Sequence, residues 1–224
     1  PLMSDSPRPS LDALQRAAEE TWINEFLAGP TRTRLTELPP QDGDQAPDLE
    51  LPDTTGTARR LSELWADAPV HLVFMRQFGC GCLADRWEQL EPAQQKITAA
   101  GARLVAVCQA DPERAAAVAD RRGYRFPLLC DPELKAYRAY GLPEGVPATI
   151  TQDFPWQPND TDTAEQWTAS RRGTERALVD HMWQLPGEFV VAQGGRIVLA
   201  HRAQYCEDFP LTEVILGAIA AARA

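Results

Sequence analysis

Two cysteines separated by a single glycine, Cys80 and Cys82, are the residues of this chain best suited to chemistry. They follow the apolar segment Val70 to Met75, which has the composition of a strand buried on both faces. They precede Leu83, Trp87 and Leu90, apolar residues at helical spacing. A cysteine at the start of a helix lies near unpaired backbone N–H groups and the positive end of the helix dipole, which favour thiolate over thiol. The pattern therefore predicts a reactive thiolate where a strand passes into a helix.

The composition restricts the classes of protein to which this chain can belong. Its 224 residues include 22 basic and 32 acidic residues, and the net charge of -10 argues against nucleic acid or an anionic membrane surface as partner. No apolar run reaches the roughly 18 residues of a membrane span, and the first ten residues lack the apolar region of a signal peptide. Five cysteines in such a chain fit free or redox-active thiols. We therefore expect a cytoplasmic protein without membrane association.

The chain divides into two predicted regions. Residues 1–43 are predicted to form a polar tail, one helix and a Pro-rich linker, and residues 44–224 to form the main domain. Ser10 can cap the helix, whose apolar stripe includes Trp22 and Phe26. We interpret this helix as packing on its own domain rather than as a dimerisation arm, although a homodimer stays open.

The main domain is predicted to alternate strands and helices. A short strand and a helix capped by Ser62 precede the central strand, and Pro92 is expected to kink or interrupt the helix after the thiols. Two further strand and helix units follow. Their strands are 102–108 and 126–130, and their helices start at Asp111-Pro112 and Asp131-Pro132.

An insertion and a hairpin are predicted to complete the domain. Residues 151–184 are rich in proline and tryptophan, and we expect an insertion there with one short helix near 164–172, a candidate lid or contact surface. The glycine pair Gly194-Gly195 between two apolar segments predicts a β-hairpin. An amphipathic helix is predicted over 212–222.

Taken in order, these segments resemble the AhpC/TSA family of the thioredoxin superfamily, the alkyl hydroperoxide reductases and thiol-specific antioxidant proteins. The resemblance covers about 44–222 and depends on LELPD-TTG, FGCGC, FPLLCDPELKAYRAYGL and LPGEFVV-GGRIVLAHR in that order. The chain is most similar to the peroxiredoxin-like branch. This implies an α/β thioredoxin-like fold, a central mixed β-sheet flanked by helices, to which the N-terminal helix and the insertion before the C-terminal hairpin are additions.

The resemblance also implies a function and assigns residues to it. It implies a thiol-dependent oxidoreductase that reduces peroxides or disulfides, with Cys80 at the position of the peroxidatic cysteine and therefore the expected nucleophile. Arg76 and the helix terminus are the groups able to stabilise its thiolate. Pro186 matches the proline that thioredoxin-like proteins place in cis, facing the reactive sulfur.

The chain departs from peroxiredoxins in two segments that bind peroxide. Gln77 stands three residues before Cys80, where those proteins bring proline and threonine or serine, and Pro186-Gly187-Glu188 replaces their arginine element. Arg76 and Arg86 are the two candidates to bind peroxide in place of that arginine. These differences favour a thiol oxidoreductase that acts on peroxide or on a disulfide over an efficient peroxidase.

Several cysteines could resolve an oxidised Cys80, that is, form a disulfide with its sulfur. A bridge to Cys82 is within reach, since residues two apart span roughly 5.5 to 7 Å, but side chains two apart on a helix point to different faces. We therefore expect the bridge to need an unwound first turn. Cys206, beyond the hairpin, is the next candidate. Cys108 and Cys130 are interpreted as small buried residues of core strands.

The same cysteines could instead serve a non-catalytic function, the binding of a metal ion or a partner. Cys80 and Cys82 with a histidine could hold copper or zinc, but the spacing is a weak metal motif and the histidines (His71, His181 and His201) belong to no ligand motif. We expect no cofactor. The alternative is a non-catalytic thioredoxin-fold module that binds a partner or a metal. For the enzyme, the expected partners are a peroxide or disulfide substrate and a reducing thiol or thioredoxin-like donor.

Overall fold

A five-stranded mixed β-sheet forms the centre of the protein, for which a computed structural model describes residues 10–31, 36–150 and 161–223. Along the chain its strands are β3 (Val70–Phe74), β4 (Arg103–Cys108), β5 (Leu128–Cys130), β6 (Gly187–Val191) and β7 (Ile197–Arg202). Their spatial order is β5-β4-β3-β6-β7. β3, β4 and β5 are parallel, whereas β6 and β7 run antiparallel to their neighbours. The predicted α/β architecture with a central mixed sheet is confirmed.

Helices flank this sheet, and a small antiparallel pair of strands precedes it. The pair is β1 (Glu50–Pro52) and β2 (Ala58–Arg60). The helices are α1 (Leu11–Ala28), α2 (Leu61–Leu64), α3 (Gly81–Ala99), α4 (Pro112–Arg122), α5 (Lys135–Ala139), α6 (Pro147–Ile150), α7 (Thr161–Arg171) and α8 (Thr212–Ala222). Within the described ranges, no helix combines the length and apolar character needed to cross a membrane.

Strand β3 is the middle of the sheet, and all five of its residues are buried. Leu72 and Phe74 pack in an apolar cluster with α5, while Val73 packs on the opposite face with the first turns of α3. His71 interrupts the apolar run but is fully buried and paired with Glu188. The continuous apolar sequence of this strand thus follows from its burial on both faces.

Two helix caps and the hairpin turn are confirmed. The Ser10 hydroxyl accepts a hydrogen bond from Ala13 N at the start of α1. The Asp111 carboxylate accepts one from Arg114 N at the start of α4. The hairpin between β6 and β7 turns at Gly194 and Gly195, whose φ angles of 84° and 97° strongly favour glycine.

One local prediction was wrong: Ser62 does not cap α2. Its backbone N–H instead donates to Asp48 Oδ1 at 2.9 Å, and α2 begins at Leu61. The segment just before α2, for which no strand was predicted, pairs with β1 as strand β2. Helix α3 does not restart at Pro92 but continues through it, and the alternative of a kink there stays a prediction. Proline removes one backbone donor, but the buried Ala93 and Ile97 hold the helix in the core on its C-terminal side.

Helix α1 packs on its own chain, as predicted, and its partner is the insertion. Trp22 stacks on Phe26 with ring centroids 5.5 Å apart, and Phe26 stacks on Trp183 at 6.4 Å. Arg172, just after α7, donates to both carboxylate oxygens of the buried Glu19. The helix predicted in the insertion is confirmed as α7, whereas the N-terminal tail at 1–9 and the start of the insertion at 151–160 lie outside the described residues.

A buried ionic cluster joins three elements next to the cysteines. The Glu188 carboxylate on β6 accepts a hydrogen bond from His71 Nε2 on β3 at 2.8 Å and two from Arg86 on α3 at 2.6 Å. Burial acts to raise the pKa of Glu188, but the hydrogen bonds and charges of His71 and Arg86 outweigh it and hold that pKa below its usual 4.5. The cluster therefore contributes stability while Glu188 is ionised.

We expect Glu188→Gln to lower the free energy of unfolding at pH 7 by about 3 kcal/mol, because it leaves the buried Arg86 without its counter-ion. The native pKa of Glu188 lies below the unfolded value of about 4.5, so the wild type keeps this contribution above pH 4.5, starts to lose it as pH falls below that value and has lost it once pH is below the native pKa. The variant shows no such loss. Urea unfolding at several pH values from 7 down to 3 measures both effects. Glu133→Gln, which removes an exposed carboxylate paired with Lys135, is the control and should change little. Equal pH dependence in Glu188→Gln and wild type would contradict the assignment.

Candidate functional site

Cys80 lies where the central strand passes into α3, as predicted. Its backbone is extended, with φ -77° and ψ 136°, and it is the N-cap residue of α3. Its N–H donates to Gln77 O at 3.0 Å, which closes the turn that presents the cysteine. The side chain of this N-cap residue makes no capping hydrogen bond to α3. The first N–H groups of α3 and the positive end of the helix dipole are therefore available to a thiolate at Cys80.

Cys80 and Cys82 are paired as a disulfide, with their Cα atoms 5.5 Å apart. The expectation that this bridge needs an unwound first turn was wrong. α3 begins at Gly81, so Cys80 stands outside the helix in extended conformation and only Cys82 has helical geometry. The constraint on side chains within one helix therefore does not apply to this pair.

Cys206 joins the two cysteines although it is more than 120 positions further along the chain. The three Sγ atoms all lie within 4.8 Å of one another. Cys80 is partly exposed, whereas Cys82 and Cys206 are each 3% exposed. The segment carrying Cys206 is held by Cys206 N, which donates to Thr149 O. The structure thus brings both predicted partners of Cys80 into one cluster.

A narrow pocket opens in front of Cys80. One group of lining residues comes from the cysteine turn (Arg76, Gln77, Gly79 and Cys80), and the rest are Trp22 of α1 with Ile150, Trp167, Arg171, Leu178 and Met182 of the later segments. Most of this second group is aromatic or aliphatic. The pocket wall facing the cysteine turn is therefore built by α1 and the insertion, which supports the predicted role of the insertion as a cover.

The insertion is fastened to the cysteine turn through one carbonyl group. Gly79 O accepts a hydrogen bond from Arg171 Nη1 at 2.9 Å and a longer one from Arg176 Nη2 at 3.4 Å. Burial and the neighbouring Arg176 charge lower the pKa of Arg171. Two guanidinium groups therefore lie beside the residue that precedes Cys80, and they add positive potential to a protein of negative net charge.

Of the two arginines considered for peroxide binding, the structure favours Arg76. Arg76 lines the Cys80 pocket and is 2% exposed; its Nη1 donates to Gln184 O at 2.9 Å. Its Nε has no hydrogen-bond partner among the described residues. Arg86 does not line that pocket, because its guanidinium is bound by Glu188 and Gln89.

Pro186 departs from its predicted role. The peptide bond before it is trans, so the prediction of a cis proline was wrong. Leu185 N donates to Pro143 O and Ala203 N donates to Pro186 O, which hold an extended chain leading directly into β6. Pro186 lines a separate cavity with Arg76 and Glu188, and Met182 rather than Pro186 lines the pocket at Cys80.

Cys108 and Cys130 are buried in core strands, as predicted. They occupy paired positions on β4 and β5 and are 1% and 0% exposed. Burial, reinforced by a side-chain hydrogen bond with Cys130, raises the pKa of Cys108 well above its usual value. A thiol that stays protonated at neutral pH is a poor nucleophile.

The three histidines have other partners than the cysteines. His71 binds Glu188, His181 lies 3.5 Å from Glu144, and His201 contacts the Asp208 backbone oxygen at 2.8 Å. Among the described residues, the cysteine cluster contains no histidine or carboxylate. The mixed thiolate and imidazole metal site considered above is therefore not assembled.

Sequence reasoning missed most of the pocket wall. Trp22 was assigned only to the apolar stripe of α1, and Met182 and Leu178 were not singled out. Trp167 and Arg171 belong to the insertion that was predicted to form a contact surface, but nothing in their spacing shows that they line the pocket at Cys80. Their positions depend on contacts across more than 60 residues of chain.

Comparisons with known proteins agree with this architecture. The sequence profile of the AhpC/TSA family matches residues 43–200. A Mycobacterium tuberculosis H37Rv protein with a provisional peroxiredoxin name is 34% identical over 108 residues, 46% of this chain and 68% of that protein. Prostamide/prostaglandin F synthase of Salmo salar is 26% identical over 161 residues, 69% of this chain and 75% of the synthase.

Solved structures show the same fold. Peroxidoxin BcpB from Mycobacterium tuberculosis superposes with a TM-score of 0.59 at 22% identity, over 83% of this chain and 99% of that chain. The thiol peroxidase from Chromobacterium violaceum superposes with a TM-score of 0.55 at 15% identity, over 83% of this chain and 89% of the peroxidase. The predicted thioredoxin-like fold is therefore confirmed.

We expect Gly79→Ala to destabilise the protein by about 1 to 3 kcal/mol, because the added Cβ would lie 2.5 Å from Leu178 Cδ2 and 3.1 Å from Arg176 O. The same clash should push the insertion away from Cys80 and speed its alkylation after reduction. Gly217→Ala on α8 is the control, since its Cβ meets no atom within 4 Å, and it should be neutral or stabilising by up to about 1 kcal/mol. Chemical unfolding and iodoacetamide kinetics provide the measurements; unchanged values for Gly79→Ala would refute the proposed contact.

Proposed function

Because this chain belongs to the AhpC/TSA family, we propose that it is a thiol-dependent oxidoreductase in which Cys80 attacks a peroxide. The observation that carries the proposal is the position of Cys80. It is the N-cap of α3, it opens into a pocket lined by Arg76, and its sulfur lies within 4.8 Å of the Cys82 and Cys206 sulfurs. The peroxiredoxin name of a relative and the thiol peroxidase among the structural neighbours support a redox function on this fold.

The reduced site is suited to hold Cys80 as a thiolate. An ordinary cysteine has a pKa near 8.5 and is only a few per cent ionised at neutral pH. The first N–H groups of α3 and the buried Arg76 guanidinium provide positive potential at the sulfur. Cys82 is in the first turn of the same helix, and no acidic side chain lies in that turn to oppose the effect.

The first step is nucleophilic attack on the peroxide bond. The Cys80 thiolate attacks one oxygen, an S–O bond forms while the O–O bond breaks, and the leaving oxygen takes a proton to become water or an alcohol. The sulfur is oxidised to sulfenic acid and the peroxide is reduced. Arg76 lines this pocket, and its Nε–H, which has no hydrogen-bond partner among the described residues, is our candidate donor to the leaving oxygen as its charge develops.

Cys82 completes the first half of the cycle. Its thiolate attacks the sulfenic sulfur of Cys80, an S–S bond forms, and the oxygen leaves as water. The product is the Cys80–Cys82 disulfide; this pair is joined in the structure, with Cys80 outside α3, which supports the proposal. An external dithiol then reduces the disulfide by two electrons and is itself oxidised. Cys206 lies close enough to exchange with either sulfur and is the second candidate to resolve Cys80.

The dimensions of the pocket favour a peroxide over a protein disulfide. Its free volume is about 20 Å³, enough for one water-sized group. One oxygen atom of a peroxide fits this space next to Cys80, whereas a disulfide on a folded protein would require Trp167, Met182 and their neighbours to move away. Disulfide reduction by the exposed part of Cys80 is the second candidate function, and the Cys80–Cys82 pair itself is the observation that favours it.

We expect Cys80→Ser to abolish peroxide consumption in the presence of dithiothreitol, because serine is not ionised at neutral pH and cannot form a sulfenic acid. Cys130→Ser, in a buried strand away from the site, is the matched control and should retain turnover. Hydrogen peroxide loss and insulin disulfide reduction are measured in parallel. Peroxide loss without insulin reduction supports the peroxidase, the reverse supports the disulfide reductase, and equal activity of Cys80→Ser and wild type in both assays contradicts the nucleophile.

Peptide mapping after one equivalent of peroxide should find the Cys80–Cys82 disulfide in the wild type, because this pair is already joined in the structure. In Cys82→Ser we expect a Cys80–Cys206 disulfide, since those sulfurs also lie within 4.8 Å. Recovery of both remaining cysteines as free thiols in that variant would exclude Cys206 as a resolving residue.

Arg76→Gln should slow both alkylation of reduced Cys80 at pH 6.5 and peroxide turnover by about tenfold, the effect of roughly 1.4 kcal/mol of lost thiolate stabilisation. Arg76→Lys keeps the positive charge and should recover part of the loss. Arg196→Gln, at an exposed position, is the control. Circular dichroism shows whether each variant is folded. Wild-type rates in a folded Arg76→Gln would exclude Arg76 from the mechanism.

A further inference from the structure

The three clustered cysteines form a donor set that the redox cycle does not use in full. Only two thiols are needed to form and open one disulfide, yet the Cys206 sulfur lies within 4.8 Å of both others. From this arrangement we propose that the reduced site binds one Cu(I) ion through Cys80, Cys82 and Cys206. This inference is independent of the proposed peroxide reaction, since it concerns the dithiol form at rest.

The sulfur positions fit three-coordinate binding. Metal–thiolate bonds of roughly 2.3 Å in a trigonal arrangement place the sulfur atoms roughly 4 Å apart. No two of the three sulfur atoms are more than 4.8 Å apart, and the Cys80 and Cys82 sulfurs, bonded in this form, are closer than the trigonal spacing. Reduction separates the Cys80 and Cys82 sulfurs, and their Cα spacing of 5.5 Å leaves room for both to turn towards a common ion. Small side-chain rotations are therefore sufficient.

The chemistry of the donors selects the metal. Thiolates are soft ligands that favour Cu(I) and zinc, and structural zinc sites take four protein ligands. In the described parts of the chain this cluster offers three cysteines and neither histidine nor carboxylate. The thioether of Met182, another soft donor, lines the same pocket as Cys80. A site of three sulfurs with a nearby thioether suits Cu(I) better than zinc.

The surroundings suit a monovalent ion held by several thiolates. Cys82 and Cys206 are packed in an apolar cluster with Leu178 and Trp183, which excludes water. Three thiolates on Cu(I) leave two negative charges, and the Arg76 guanidinium and the α3 N-terminus lie on the side of Cys80 to offset them.

Binding is an acid–base and coordination step without electron transfer. An external dithiol first reduces the Cys80–Cys82 bond by two electrons and becomes a disulfide. Each thiol that coordinates then releases its proton to solvent, and copper remains in the +1 state throughout. A bound ion would occupy the Cys80 thiolate, so peroxide would react with the loaded protein more slowly than with the free dithiol.

The test uses the full chain, reduced with dithiothreitol and desalted without oxygen, then titrated with Cu(I) held by bicinchoninate. We expect one equivalent of Cu(I) to bind, at least a hundredfold tighter in wild type than in Cys206→Ser. Cys108→Ser, in a core strand outside the cluster, should bind as the wild type does once circular dichroism shows that it is folded. X-ray absorption of the loaded protein should show a first shell of sulfur only.

Several results would overturn the proposal. They are equal affinity in wild type and Cys206→Ser, a first shell containing nitrogen or oxygen, and zinc binding as tight as Cu(I) in a parallel titration. Because copper binding and peroxide turnover are measured separately, an inactive protein that binds Cu(I) would refute only the catalytic proposal. An active peroxidase that fails to bind Cu(I) would refute only this one.

Discussion

The buried carboxylate of Glu188 is the interaction on which the geometry of this protein depends. It joins β6 to β3 through His71 and to α3 through Arg86, so the strand that leads to Cys80 and the helix that follows it share one anchor. A charge buried this deeply is tolerated only with partners on several sides. The same residue lies in the segment that replaces the arginine element of peroxiredoxins, so here that segment has a structural role, whereas Arg76 lines the pocket at Cys80.

A second constraint comes from the covering of the site. α1 and the insertion pack on each other through Phe26 and its aromatic neighbours, and together they close the pocket in front of Cys80. The carbonyl of Gly79 links this cover to the cysteine turn. Access to Cys80 is therefore determined by elements outside the central sheet, and most of the side chains that these elements contribute to the pocket wall are aromatic or aliphatic.

The placement of the five cysteines separates two chemical roles. Three have sulfur atoms within 4.8 Å of one another beside the N-terminus of α3, and two lie side by side within the sheet, where burial raises the pKa of Cys108. In the proposed reaction the clustered thiols exchange a disulfide among themselves, and in the proposed copper site they share one soft metal ion.

By itself the sequence determined the features that depend on neighbouring residues. Ser10 and Asp111 cap their helices, Gly194 and Gly195 turn the hairpin, and an apolar strand followed by FGCGC places Cys80 at a helix start. Tertiary structure alone decided the approach of Cys206, the trans bond at Pro186 and the pairing of Glu188. Caps and turns are fixed by local φ and ψ preferences. Contacts between distant segments depend on how the whole chain packs, and no local pattern records them.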